Sequence, residues 1–434
     1  MSVIILTENY EGILYVGWLM AQEYTVIIRN GYLQTEDKVV DIGITNDKIT
    51  KIDTEIDGDA PTEIDANNNL VAPGFVDSHA HMDKSFAICG CRHPKHNDQP
   101  YDPKVLTPFG EEYFDNISKE AITKHAIQNA KKAVENGTTH IRTHVTVDTT
   151  SGTKTTEAVI DARDSVRDLL DIQIVPFSEQ GCLTDDGVEH YLRQSIELGA
   201  DAVGGMDPLT NNNNIDDAVD IWFDIATEFD VEIDAHIHEP GSLGRYTLRR
   251  LAEKTIEHNH IGKTTASHAF GLAGTPLDEL DQLTKIFQEA QMKFITCYPS
   301  TRPDMPLKWL MEELTVGHGT DNIRDFIIPH GSADVLQGLF VQCLNMRNDP
   351  TADSYRFFEM NVGMNLLWEM ATKESARVLS INDYGIYEGG KADLNIFDVE
   401  SREWAIIKQP DPRYVLKNGS IVAKNGEMTV DVPT

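Results

Sequence analysis

"SKEAITKHAIQNAKKAVENGTTHIRTHVTVD", residues 118–148, joins an amphipathic helical pattern to an apolar run. Ser118 is suited to cap the start of the helix and Gly137 to end it. The apolar run 138–146 then predicts a buried strand. Similar runs, separated by further amphipathic segments, recur at 74–79, 171–177, 200–206, 231–237, 263–267, 292–297 and 315–320. Eight strands alternating with helices predict an α/β fold, the (β/α)₈ TIM barrel. An open doubly wound sheet is the alternative, but no glycine-rich phosphate fingerprint follows an early strand.

Both ends of the chain carry short β patterns instead of the strand–helix alternation. "YTVIIRNGYL" and "VVDIGITNDKITKID" precede the barrel, and "ADLNIFDV" and "YVLKNGSIVAKNGE" follow it. Asn-Gly between apolar runs is a strong hairpin signal. These patterns predict one small β-sandwich-like domain from residues 24–72 and 379–434, beside a barrel of residues 73–378. Residues 1–23 are expected to be an N-terminal extension, with the natural start of the fold near Met20.

The composition limits the classes of partner. The formal net charge is −33, from 70 acidic against 37 basic side chains, which argues against nucleic acid and anionic membrane surfaces. Five scattered cysteines are typical of reduced thiols in a cytoplasmic protein, not of a disulfide framework. The sequence has no apolar run of 18 residues, so no membrane-spanning helix is expected. A small-molecule ligand is the expected partner.

Polar side chains able to bind a metal follow several of the predicted strands. In "PGFVDSHAHMDKSF", His79 and His81 are two residues apart on a strand and face the same side. Such a pair alone is weak evidence. Further groups of this kind end strands five, six and eight: His236, His238, Glu239, His268 and Asp321. Imidazole and carboxylate ligands predict a divalent Zn²⁺ or Fe²⁺ site with an open position for water. His144 either faces this site or only lines the barrel.

The motifs "PGFVDSHAHMDKSF", "IRTHVTVD", "DAHIHE", "TASH" and "TDNIRD" resemble, in this order, the amidohydrolase superfamily and specifically its cytosine deaminase branch. The resemblance covers nearly the whole chain from about residue 24. It implies one divalent metal ion with four ligands, His79, His81, His236 and Asp321. It also implies that His268 lies beside the attacking water and that Glu239 shuttles protons, while Asp321 accepts the proton of the water.

Five further residues are candidates for contacts with the substrate: Lys84, Glu179, Gln180, His238 and Asn322. Lys84 either binds an electronegative ring substituent or balances nearby carboxylates. Glu179 stands where relatives have a substrate-contacting glutamine, and a shift of one residue would give that role to Gln180. Otherwise Glu179 faces the pocket as a carboxylate or binds a second metal. His238 either contacts the substrate or lines the barrel mouth.

Together these features predict a metal-dependent hydrolase that removes an amino or alkylamino group from a small N-heterocycle. Aminopyrimidines and amino-s-triazines are the candidate substrates. Hydrolysis of a cyclic amide or deacetylation on the same scaffold is the alternative, which Glu179 as a second-metal ligand would favour. A non-catalytic assembly protein is a further alternative. The resemblance also implies a homo-oligomer.

Overall fold

The computed structural model describes residues 4–8, 14–18, 24–87, 112–298, 305–346, 349, 351 and 362–432. Within the predicted extension, β1 (Ile4–Glu8) and β2 (Leu14–Trp18) pair as antiparallel strands. The expected start of the fold at Met20 lies outside the described residues. Five short strands then lead to the barrel: β3 (Val26–Leu33), β4 (Lys38–Thr45), β5 (Lys48–Asp53), β6 (Thr62–Asp65) and β7 (Val71–Pro73).

Eight parallel strands of the described chain form the barrel, and each pairs with the next in sequence. They are β8 (Phe75–Ala80), β9 (Thr138–Thr146), β10 (Asp171–Ser178), β11 (Ala202–Gly205), β12 (Glu232–His236), β13 (Thr264–Ser267), β14 (Lys293–Cys297) and β15 (Thr315–Gly319). A parallel bridge between Ala80 and Asp321 joins the last strand to the first. All nine residues of β9 are buried, as expected for a strand covered on both faces. The predicted TIM barrel is confirmed.

Helices cover the outside of the barrel and are amphipathic or short. They are α1 (Lys119–Glu135), α2 (Lys154–Val166), α3 (Val188–Glu197), α4 (Pro208–Asn212), α5 (Ile215–Phe229), α6 (Gly241–Glu257), α7 (Leu277–Glu289), α8 (Leu307–Glu313), α9 (Val335–Asn345), α10 (Val362–Met370), α11 (Lys373–Val378) and α12 (Arg402–Lys408). Ser118 caps α1 by accepting a hydrogen bond from Ala121 N at 3.2 Å. Gly137, two residues past the helix, has φ +92°, a conformation that favours glycine. Among the described residues, no helix has the length and apolar character needed to cross a bilayer.

Strands from both ends of the chain form two further sheets. The C-terminal strands are β16 (Leu394–Ile396), β17 (Tyr414–Lys417), β18 (Ser420–Lys424) and β19 (Glu427–Met428). Together with β7 they form one five-stranded sheet, in which β16 pairs with β7, while β3 to β6 form the second sheet. Apolar side chains of the two sheets, such as Ile42 and Leu394, share one buried cluster. The prediction that both termini build extra sheets is confirmed, while the exact domain boundaries stay a prediction.

A buried lysine attaches these sheets to the barrel. Lys417 of β17 is fully buried, and its Nζ lies 2.6 Å from Asp393 and 2.9 Å from Asp171. Asp171 is the first residue of β10. The contact is therefore at the N-terminal ends of the barrel strands. The predicted functional residues lie at the opposite ends.

Candidate metal centre and active site

Imidazole and carboxylate groups converge at the C-terminal ends of the barrel strands. The Nε2 atom of His81 lies 3.3 Å from Nε2 of His236 and 3.5 Å from Oδ1 of Asp321. The Nε2 atom of His79 lies 3.9 Å from the same carboxylate oxygen. All four side chains are buried, with at most 4% of each residue exposed. The fold thus brings together the four residues that the sequence predicted as metal ligands.

The chemistry of this cluster fits a divalent cation. Burial lowers the pKa of His79, His81 and His236 well below the usual value, so the rings are neutral and retain lone pairs. The buried Nε2 of His79 has no hydrogen-bond partner in the described structure. Ligand atoms of His79, His81 and Asp321 all lie within 4.8 Å of one another. A cation bound between these atoms would satisfy their lone pairs and the carboxylate charge together.

A chain of polar side chains below the cluster orients the ring of His79. Its Nδ1 atom lies 3.0 Å from Ser267 Oγ, and the Ser267 hydroxyl donates to Asp234 Oδ1 at 2.7 Å. Ser267 therefore accepts a hydrogen bond from Nδ1–H of His79, which leaves the lone pair on Nε2. Arg142 donates to the other oxygen of Asp234 at 3.1 Å. The sequence analysis missed these partners, although Asp234 lies two residues before His236 and hence on the same face of the strand.

Replacing Ser267 by alanine is expected to weaken metal binding by about 10- to 100-fold, because the His79 ring loses the acceptor that sets its tautomer. Competition with a chromophoric chelator measures this affinity. Thr265→Val is the matched control, because it removes a buried hydroxyl without a described hydrogen-bond partner from the same strand. Equal affinities in Ser267→Ala and the wild type would contradict the role of Ser267.

His144 also lies on the site side of its strand. Its ring centroid is 4.2 Å from that of His79 and 4.5 Å from that of His236. Its Nε2 lies 3.4 Å from Asp234 Oδ1, and neither ring nitrogen has a described hydrogen-bond partner. The geometry thus favours a location at the site over simple lining of the barrel.

Residues at three strand ends have unusual backbone conformations. Asp207, His268 and Asp321 have φ values of +43°, +70° and +62°, in the left-handed region that non-glycine residues rarely adopt. The amide of Asp321 donates to His79 O at 2.9 Å, which joins the ends of β15 and β8. Thr320, the residue before Asp321, donates hydrogen bonds to the buried carboxylate of Asp77. Burial raises the pKa of Asp77 to about 7. Asp77 is a further residue that the sequence analysis missed.

His268 and His238 lie next to each other at the mouth of the barrel. Their ring centroids are 4.3 Å apart, and the His268 ring is 4.8 Å from that of His79. The Nδ1 atom of His238 lies 3.2 Å from Asp207 Oδ2. Burial alone would lower the pKa of His238. The neighbouring Asp207 outweighs this effect and raises the pKa above the usual value. The structure therefore brings both predicted histidines to the cluster of predicted metal ligands.

Glu239 is buried, with 2% of the residue exposed, and both of its carboxylate oxygens accept hydrogen bonds. Oε1 accepts from the backbone amide of Thr210 at 2.7 Å, and Oε2 accepts from the hydroxyl of Thr247. Burial raises the pKa of Glu239, while these hydrogen bonds act in the opposite direction. The carboxyl group is thus held between α4 and α6, beside the strand end that carries His236.

Lys84 and Glu179 form a buried ion pair near the cluster. The Lys84 Nζ atom donates to Glu179 Oε1 at 2.5 Å and to Thr146 Oγ1 at 3.0 Å. Lys84 is fully buried, whereas the Glu179 side chain is 23% exposed. Burial opposes the charged state of both groups. The ion pair acts in the opposite direction: Glu179 raises the pKa of Lys84, and Lys84 lowers the pKa of Glu179. The ring of Phe177 lies 5.5 Å from Nζ and stacks on His236, which places the pair beside the cluster.

The remaining two candidates are less directly placed. The Asn322 amide nitrogen donates to Asp325 Oδ2 at 2.6 Å, so that group points to a neighbour on its own loop. Gln180 is half-buried beside Glu179. Among the described residues, the compact groups of His, Cys, Asp and Glu ligand atoms do not include Glu179. Its partner is Lys84, which removes the geometric support for a second metal there.

Comparisons with known proteins agree with this geometry. The profile of the amidohydrolase family matches residues 70–427. N-isopropylammelide isopropyl amidohydrolase of Pseudomonas sp. strain ADP is 43% identical over 408 residues, covering 94% of this chain and 99% of the relative. The crystal structure of N-isopropylammelide isopropylaminohydrolase from Burkholderia multivorans superposes with a TM-score of 0.82 at 29% identity, covering 93% and 99% of the two chains. 5-Methylcytosine deaminase from Klebsiella pneumoniae shares the fold, with a TM-score of 0.80 at 24% identity and coverage of 94% and 100%.

Proposed function

This chain belongs to the amidohydrolase family, and as a metal-dependent hydrolase of carbon–nitrogen bonds it acts, we propose, on a small N-heterocycle. The bond cleaved is exocyclic, so that ammonia or an alkylamine leaves and a ring carbonyl forms. An amino-s-triazine like N-isopropylammelide is the substrate that the two most similar relatives described above support. A cytosine-like aminopyrimidine is the second candidate. The observation that carries the proposal is the convergence of His79, His81, His236 and Asp321 on one point at the barrel mouth.

The four converging residues would hold one ion, and their imidazole and carboxylate donors suit zinc or iron. Bound there, a divalent ion would supply Lewis acidity and would lower the pKa of water from about 15.7 to about 7. Asp321 accepts a proton from the attacking water at a carboxylate oxygen. His268, whose ring lies beside those of His79 and His238, donates an N–H hydrogen bond where negative charge develops.

Glu239 moves the protons that the reaction requires. It delivers a proton to a ring nitrogen while the water oxygen bonds to the ring carbon, then takes the proton of the added hydroxyl and passes it to the departing amine. The proton that Asp321 took from the water finally returns to Glu239, so both carboxyl groups are restored. A buried carboxyl group whose pKa is raised by burial is suited to both steps, because it holds a proton more readily than an exposed one. Each turnover thus consumes one water, breaks the exocyclic C–N bond and forms a ring carbonyl.

Glu179 supports a substrate that offers N–H donors. Lys84 and Thr146 hold one carboxylate oxygen, and the partly exposed side chain presents acceptors only. Glu179→Gln is expected to raise KM about 10-fold for rings with N–H groups, because a charge-assisted hydrogen bond is lost. Gln180→Ala should leave KM unchanged. Steady-state kinetics of both variants test this assignment, and a larger effect of Gln180→Ala would transfer the role to Gln180.

The direct test of the function is release of ammonia or alkylamine from a panel of aminotriazines and aminopyrimidines, with zinc, iron and manganese forms of the protein. Turnover of at least one compound, lost on chelation and restored by metal, is the expected result. Ring opening of cyclic amides or deacetylation, without amine release, would contradict the proposal. With Glu179 paired to Lys84, no observation favours those alternatives. The homo-oligomer and the cytoplasmic location stay predictions.

A further inference from the structure

The loop after β11 supplies none of the predicted metal ligands or proton carriers. It contacts the segment that follows β12, which supplies the predicted proton carrier Glu239. Asp207, in this loop, accepts hydrogen bonds at Oδ1 from the backbone amides of His238 at 2.6 Å and Glu239 at 3.1 Å. Its Oδ2 lies 3.2 Å from Nδ1 of His238. One carboxylate therefore holds both the backbone and the side chain of the segment that follows β12.

The position of Asp207 in the sequence suggests a different and purely local role. It directly precedes Pro208, the first residue of α4, and an aspartate there usually caps the helix. The side chain makes no capping hydrogen bond, although Asp207 is the N-cap residue. The backbone is instead in the left-handed region, with φ +43°. A strained conformation that turns a carboxylate away from its own helix toward His238 and Glu239 indicates a role at the site.

The residues after Asp207 contact Glu239 and the loop after β10. The amide of Thr210 donates to Glu239 Oε1 at 2.7 Å. The Asn211 side chain donates to the backbone oxygen of Glu179 at 2.9 Å. The segment 207–211 thus connects the loops after β10 and β12, and Asp207 is its only charged member.

We propose that Asp207 is the positioning residue that orients His238 and Glu239 for the reaction, an inference that rests on the proposed function. The carboxylate accepts a hydrogen bond from Nδ1–H of His238, which turns Nε2 of the ring toward the site beside His268. The two amide hydrogen bonds fix the chain so that the Glu239 carboxyl group meets Thr210 and Thr247. Among the described hydrogen bonds of Asp207, the one to a predicted metal ligand joins backbone groups, its own amide and His236 O.

The test compares Asp207→Ala and Asp207→Asn with the wild type. Asp207→Ala is expected to lower kcat by about 10- to 100-fold, with metal affinity within about twofold of the wild type. Asp207→Asn retains an acceptor for the two amides but can present an N–H to His238, so partial rescue is expected. Asp185→Asn is the control, because Asp185 is a buried carboxylate that binds Thr149 at the same end of the barrel. It should retain wild-type kcat.

A double-mutant cycle separates positioning from simple stabilisation. In the Glu239→Gln background, Asp207→Ala should have a much smaller effect on kcat, because the group through which it acts is already lost. A crystal structure of zinc-loaded Asp207→Ala should show His238 and Glu239 displaced. Additive losses, or unmoved side chains, would overturn the inference. The crystallographic readout needs no substrate, so it tests the inference even if the wild type releases no amine. Absence of amine release would count against the proposed function alone.

Discussion

Replacing His236 by alanine is expected to abolish turnover. His236 Nε2 lies 3.3 Å from His81 Nε2, so its loss opens one side of the predicted metal site. Losing the Lewis acid removes several kcal/mol of transition-state stabilisation, or at least about 10³-fold in rate. Asp321→Asn should be equally inactive, because the amide lacks the negative charge and cannot accept the proton of the water. Metal analysis and amine release measure both effects.

His318→Ala is the matched control for this prediction. His318 lies on β15, is fully buried, and has no described hydrogen-bond partner at either ring nitrogen. A Cβ on Gly338 of α9 would lie 2.3 Å from its Nε2, so the ring faces a helix. The control should lose stability from the cavity but retain metal and activity. Full metal content and wild-type kcat in His236→Ala would refute the assigned ligand set.

The barrel was predictable because its signal is repeated. Each of the eight predicted strand segments overlaps an observed strand, for example 171–177 against Asp171–Ser178. A parallel strand covered on both faces is rich in apolar and β-branched residues, which makes it visible without knowledge of its neighbours. The cap at Ser118 was equally visible, because a helix start depends on a few adjacent residues.

The predicted metal ligands were also accessible, because a parallel barrel brings all its strand ends to one rim. The residues that support them were not. Ser267 and Asp234 orient His79 from strands more than 150 positions away in the sequence. In the sequence they look like any other polar residues in a strand. Asp207, which directly precedes Pro208, has the sequence position of a helix cap. These partners depend on tertiary distances, which local periodicity does not contain.

The pairing of Glu179 also depended on tertiary structure. From the sequence, its carboxylate was compatible with a substrate contact or a second metal. Lys84, 95 positions earlier, proved to be its partner at 2.5 Å. A buried lysine requires a compensating charge, and this requirement accounts for a carboxylate at position 179. The ion pair agrees with the alternative in which Lys84 balances nearby carboxylates, while a contact of Lys84 or Glu179 with the substrate stays a prediction.

Glu239→Gln is expected to leave the metal bound and to lower kcat by about 10²- to 10⁴-fold, the usual contribution of a positioned acid–base group. Glutamine can retain the hydrogen bond from Thr210 N, and its amide can donate to the Thr247 hydroxyl, so the side chain should stay in place. What it cannot do is carry a proton between water, ring nitrogen and leaving amine. KM should therefore change little while kcat falls.

The control for this change is Glu135→Gln, a glutamate with 5% exposure that lies on α1 and pairs with Lys132. It should show wild-type kcat and metal content, because its carboxylate pairs with Lys132 on the same helix and is not one of the predicted site residues. If Glu239→Gln lost its metal, Glu239 would belong to the metal-binding shell and not to proton transfer. If it kept wild-type rates on every heterocycle that the wild type converts, another group would have to move the protons. Glu239 is buried and is restrained by a backbone amide and a hydroxyl. We therefore expect the first result, a bound metal with a lowered kcat, which assigns proton transfer to Glu239.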